Sequence, residues 1–176
     1  LTGQDLAAAK RAAASALAQN RLYAEAGDAI PMYMALRTLA PQDNQVAQGL
    51  KKSLQALLKQ GAAALRDAGD DADALSLAGE IGAVARALAP DDPVVLAYLE
   101  QLDKADQLWR LNAEGERLLR NGQIGQTGEP VLAPFREVLL LQPGQARALQ
   151  GLAASESAMI RQAEESAAGS DFDAAV

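Results

Sequence analysis

The chain has 176 residues, a net charge of −7 and neither cysteine nor histidine. Those absences exclude disulfides, thiolate chemistry and the commonest general base and metal ligand. The acid excess argues against nucleic acid, which needs clustered Lys and Arg, and the abundant Ala and Leu with few β-branched or aromatic residues favour helices over sheet.

In chain order, a first alanine-rich helix is predicted from about Asp5 to Ala18, ended by Asn20, which tolerates a left-handed cap. The loop RLYAEAGD leads to a second helix from about Ala29 to Leu39, with Pro31 in its first turn and Pro41 as its stop. A long third helix is predicted from Asn44, read as its N-cap, to Ala68, burying Val46, Leu50, Leu54, Leu57, Leu58, Ala62 and Leu65. Gly69 stops it, and Asp71 or Asp73 caps a fourth helix that closes at Pro90.

Asp91, Asp92 and Pro93 open a fifth, with Val95, Tyr98, Leu102, Ala105 and Trp109 on its buried stripe. After a loop holding Gly122, Gly125 and Gly128, a sixth helix is predicted from Glu129 or one turn later, since Pro134 breaks a helical ladder from inside. It reaches Leu141 and stops at Pro143. The last long helix runs from about Gln145 to Ala167, Gly169 ends it, and Asp171 begins an eighth. No apolar stretch approaches the roughly 18 residues of a membrane span.

A cadence repeats through this order. Leu39, Pro41 and Leu50 share their spacing with Leu88, Pro90 and Leu99 and with Leu141, Pro143 and Leu152. Asn20, Gly69 and Gly122 each stand 21 positions before one of those prolines. Three markers in constant register read as a helical repeat array. The loop RLYAEAGD and its counterpart QIGQTGEP lie 102 residues apart, whereas GDDADALS resembles the final GSDFDAAV, so a loop-bearing helix pair alternates with a tight one. The expectation is one helical repeat domain over 1–176, a segment of a longer protein whose last pair is incomplete.

The closing phrases APQDNQVAQGL, APDDPVVLAYL and QPGQARALQGL resemble the boundary pattern of the tetratricopeptide-repeat superfamily, in a long-helix variant. The segment NRLYAEAGDAIPMYMALRTLAP is similar to a bacterial subgroup accompanying formylglycine-generating-enzyme-like domains or membrane-bound Ser/Thr kinases. The resemblance implies an all-α solenoid of stacked antiparallel helix hairpins in a right-handed superhelix. It also implies a non-catalytic interaction, scaffold or sensor role toward a protein or peptide, on the envelope or periplasmic side. Two alternatives accompany it: a ligand-sensing extracytoplasmic domain of a membrane-bound kinase, and a homo-oligomer formed through the repeat ends.

The candidate chemical sites give way to structural readings. EF-hand loops counted from Asp67 or Asp71 place the wrong residues at their sixth and twelfth positions, so these acids are read as capping a helix junction. The glycines from Gly122 to Gly128 precede Glu129 and Pro130 rather than Gly-Lys-Ser/Thr, so they are read as a loop and not a phosphate cradle. Ser15, Ser53 and Ser76 have no histidine to activate them, and Lys51 and Lys52 sit on a solvated face. The expectation is therefore no enzyme, no metal and no cofactor. Trp109 is read as core. Arg21, Tyr23 and Ile124 are the partner-binding candidates, in loops expected to share one edge and to touch the core little.

Overall fold

The computed structural model describes residues 3–124 and 128–173, with side chains through 169. The chain is all-α, 81% helix and without strand among the described residues. Its helices are α1 (Gly3–Ala18), α2 (Ala29–Leu39), α3 (Asn44–Asp67), α4 (Ala72–Leu88), α5 (Pro93–Arg120), α6 (Glu129–Leu141) and α7 (Ala146–Asp173). They divide into two compact units, Leu1–Leu102 and Asp103–Val176, the dividing line falling within α5.

The helix ends follow from local chemistry. Past α1, Asn20 is left-handed at φ 58°, its amide donates to Leu17 O, and the Arg21 amide donates to Ala16 O. That is the paired bond set of a Schellman cap. Past α5, Gly122 at φ 65° repeats it: its amide donates to Leu119 O, and the Gln123 amide donates to Leu118 O.

At the start of α3 the capping residue is Asp43, not Asn44. Its carboxylate accepts from the amides of Gln45 at 2.8 Å and Val46 at 3.3 Å, whereas Asn44 is already the first helical residue. Asp71 does the same for α4, accepting from Asp73 and Ala74. The Asp92 carboxylate accepts from the Val94 amide at 2.8 Å.

Of two expected boundaries, one holds and one moves. α6 begins at Glu129 despite Pro134, because a proline this near the N-terminus removes a single ladder bond. α7 runs through Gly169 to Asp173 without a break there. A glycine inside a helix costs only about 1 kcal/mol, so without a left-handed cap it does not stop one. The remainder of the expected eighth helix, 174–176, lies outside the described residues.

Packing is organised symmetrically about the three prolines. The residues five before and five after each are buried: Leu36 and Val46, Ala85 and Val95, Val138 and Ala148. Eight before and eight after stands an aromatic ring opposite a glycine. Tyr33 meets Gly49 and Phe135 meets Gly151, each ring so close to the backbone that a Cβ could not be added without displacement, whereas Tyr98 stands at an ordinary contact distance of 3.5 Å from the Gly82 position, where Leu102 at 2.9 Å is the group a Cβ would displace. Glycine is thus selected by contact. Around Pro90 the arrangement is reversed, since the ring comes from the later helix and the glycine from the earlier one.

Tyr98 is also seated against Gly61, and its hydroxyl donates to Ala78 O at 2.8 Å. Phe135 is likewise seated against Gly115. Within the Leu1–Leu102 unit, one cluster gathers Leu57, Ile81, Ala85, Val95 and Tyr98, and another gathers Ala13, Ala16, Tyr33, Leu36 and Val46. The second unit packs Val131, Leu132, Phe135 and Val138 against Leu108, Ala148 and Ala158.

On α3 the fully buried leucine is Leu57, while Leu54 is only half-buried. On α5 the buried line beyond Leu102 passes through Leu108, Asn112 and Gly115. Trp109 is half-buried, one position off that line, and the Arg147 guanidinium covers its ring at 4.0 Å.

Candidate interaction grooves

The loop after α1 is built inward from its cap. The left-handed turn at Asn20 points Leu22 into the core, where it is 3% exposed. The carbonyls of Arg21 and Leu22 then accept from the amides of Ala29 and Ile30, so the loop's first residues cap α2. Asp28, the N-cap of α2, makes no side-chain bond to that helix. Its buried carboxylate faces back into the loop, accepting from the Glu25 amide at 3.0 Å and from Arg21 Nη1 at 3.3 Å.

Tyr23 lies half-buried against the core cluster of Leu57 and Tyr98. Its hydroxyl pKa is raised, first by burial and then by the charge of Glu80. These side chains line a hollow of about 360 Å³ together with Asn20, Ala24 and Gln60.

The corresponding place in the second unit holds a groove of about 550 Å³. Gly122, Ile124 and Gln162 line it with Leu119, Arg120, Ala158 and Arg161, among others. Three of its residues stand 102 positions after residues of the first hollow: Gly122 after Asn20, Ile124 after Leu22, and Gln162 after Gln60. The two hollows are one repeated feature. They differ in charge, since the first is rimmed by Arg21, Glu25 and Asp28 and the second by Arg120, Arg161 and Glu165.

The three sequence candidates therefore separate. Arg21 is exposed on the rim, with its guanidinium on Asp28. Tyr23 is on the rim as well but also covers core. Ile124 corrects the expectation that it hardly touches the core: it is 9% exposed and belongs to the cluster around Phe135. Its Schellman turn drives it inward, as Asn20 drives Leu22. Gly125 and the other residues of 125–127 lie outside the described residues. Sequence reasoning missed Gln60, Arg120 and Arg161, whose only signal was their register on the long helices.

Of the acids between Asp67 and Asp73, Asp71 caps α4. No group of three potential ligand side chains converges among the described residues. No described helix is long and apolar enough to cross a membrane. No protein-family model, curated protein or solved structure matches the chain.

Proposed function

We propose that the chain is a non-catalytic protein-interaction module whose helix pairs stack as a tetratricopeptide-like solenoid and which binds a peptide segment or partner domain at its repeated loop-edge grooves. The observation that carries this reading is the recurrence of one groove, on equivalent residues, in both units. Core packing would conserve the buried leucine or isoleucine alone. Here the open hollow beside it recurs too, with a glutamine on its wall and different charges on each rim. A shared shape with varied rims is how a rigid repeat scaffold presents related but distinct recognition surfaces.

The experiment is affinity capture on the immobilised chain, followed by titration of the identified partner against Arg21→Ala, Tyr23→Ala and Arg161→Ala. Weakened binding with an unchanged melting temperature is the expected result. A partner held equally by all three variants would overturn the assignment of the grooves.

A further inference from the structure

We propose a second site on the first unit, a hollow between α1, α2 and the start of α3 that takes an aromatic side chain accompanied by a carboxylate. It goes beyond the groove reading and lies on other residues. Ala7, Lys10, Arg11, Ala14, Tyr33 and Gln45 line a space of about 380 Å³. Each has a counterpart 102 positions later: Trp109, Asn112, Ala113, Glu116, Phe135 and Arg147.

The second unit shows what fills this place. There the Trp109 indole lies beneath the Arg147 guanidinium at 4.0 Å, and that guanidinium is held by Glu116 at 2.6 and 3.0 Å. In the first unit the indole is replaced by the methyl of Ala7, the carboxylate by the methyl of Ala14, and the covering Arg by Gln45. What has been removed is an aromatic ring and an acid. The space they vacate opens beside Tyr33, the counterpart of Phe135.

The rim has changed in the complementary sense. Asn112 and Ala113 are uncharged, whereas their counterparts are Lys10 and Arg11. The Lys10 ammonium reaches Asp43 at 2.7 Å and Gln45 at 2.9 Å, which fixes it over the hollow's edge. Arg11 is exposed and has no ion-pair partner among the described residues. A ring entering from outside would lie within reach of cations, which favour its face. A carboxylate attached to it would meet them directly. The places held by Trp109 and Glu116 around Arg147 thus correspond, in the first unit, to an open hollow with cations on its rim. The fitting occupant is a tryptophan or tyrosine side chain with an adjacent acid, carried by another polypeptide.

The probe is N-acetyl-tryptophan, with its amide and N-acetylalanine as controls, titrated into the isotopically labelled chain and followed by amide chemical shifts. Saturable shifts confined to the segment Ala7–Ala14, Tyr33 and Gln45 are expected, with a Kd on the order of 1 mM. The amide should bind severalfold more weakly, and Arg11→Gln should reduce the acid to the amide's level. Ala7→Trp should abolish binding without lowering the melting temperature, because it installs the second unit's own plug; Ala14→Leu gives the same readout from the opposite wall. Tyr23→Ala should leave this binding unchanged, which separates the site from the loop-edge groove.

The proposal is overturned by the absence of saturable shifts, by binding that survives Ala7→Trp in a folded protein, or by equal binding of N-acetylalanine. A dimer that Ala7→Trp dissociates would overturn it also, by assigning the hollow to a second copy.

Discussion

The two units solve the same packing problems with the partners exchanged. In the first, a cation on α1 reaches an acid at the start of α3, Lys10 to Asp43 at 2.7 Å. In the second, the acid stands on α5 and the cation on α7, Glu116 to Arg147 at 2.6 Å. The position of Asp43 is taken there by Gln145, whose Oε1 still accepts the Ala148 amide at 2.7 Å. The cap survives while the charge moves. The ring-and-glycine pairs show the same exchange within the first unit, where Tyr33 precedes its proline and Tyr98 follows its own, while Phe135 in the second unit keeps the order of Tyr33. What the fold holds constant is complementarity across a turn, not the residue on either side of it.

The severest test of that conclusion exchanges one pair. Tyr33→Gly alone removes a buried ring and should cost about 3–5 kcal/mol. Gly49→Tyr alone forces a second ring into an occupied space and should cost about as much or more. The double variant adopts the orientation already present at Pro90. It should therefore be more stable than the sum of the single costs allows, by about 1–3 kcal/mol in denaturant melts. Simple additivity would show that the reversal at Pro90 depends on its surroundings and not on the pair.

The loop residues come next. Leu22→Ala and Ile124→Ala should each cost about 2–4 kcal/mol, since equivalent turns drive both inward. Arg21→Ala should cost about 1 kcal/mol, since its half-exposed guanidinium is screened by water even though the Asp28 carboxylate it faces is buried. Tyr23→Ala is expected between them, because its ring is half in the core. Should Ile124→Ala melt like Arg21→Ala, the equivalence of the two loops fails.

These loops also mark where sequence reasoning ends. The prolines, the left-handed Asn20 and Gly122 and the acids that open α4 and α5 were legible because each acts through its own backbone neighbours. So was the boundary of α2. Ile124 was misjudged because a loop has no periodicity to reveal which way a side chain points. The recoverable signal was an apolar residue two places after each left-handed cap. Trp109 was misplaced by one position, for about 100° of rotation, the step of a single residue, is enough to take a side chain off a stripe. Asp43 and Asn44 are both good caps, and only the geometry of the preceding turn separates them. The exchange of ring and glycine was invisible for a deeper reason: either order satisfies the same hydrophobic pattern. The candidate hollows depended on that level of detail, and only the loop edges of the two equivalent grooves were legible, through Arg21 and Tyr23 in one and Ile124 in the other.

Alkali should probe a group of the first unit, while acid acts on both units, through Asp43 beside Lys10 in the first and Glu116 beside Arg147 in the second. Burial pushes the Tyr98 hydroxyl up to about 12, with a further contribution from Tyr23. A raised folded-state value means that its stabilisation is complete below the ordinary tyrosine value near 10 and is lost between there and about 12. Tyr98→Phe should flatten that alkaline loss in the first unit. In the second, hydrogen bonding to Arg147 holds the Glu116 carboxyl below its usual 4.5, against a smaller opposing effect of burial. Its contribution is present above that value and disappears as pH falls through the lowered one. Glu116→Gln should remove this acid-sensitive component, read from melting temperatures across the acid range. An unchanged acid profile would show that the pair adds nothing to folding.

The smallest expected effect concerns the exchanged charges themselves. Arg147 is the better-held cation, for its guanidinium grips Glu116 through two nitrogens and rests on Trp109, with its side chain 16% exposed. Lys10 makes a single contact to the Asp43 carboxylate with a flexible ammonium. A planar fork loses less freedom per bond than an ammonium on a four-carbon stem, so the Glu116–Arg147 pair should show the larger coupling in a double-mutant cycle. Its exposure limits that coupling to about 0.5–1 kcal/mol. Reversing the pair, Glu116→Arg with Arg147→Glu, should recover part of the electrostatic loss but not the contact with Trp109, leaving the reversed protein less stable than the original. Full recovery would mean that charge alone holds the junction; a coupling no greater than that of Lys10 with Asp43 would mean that the stacked ring contributes nothing, and that the two units differ here in sequence but not in energy.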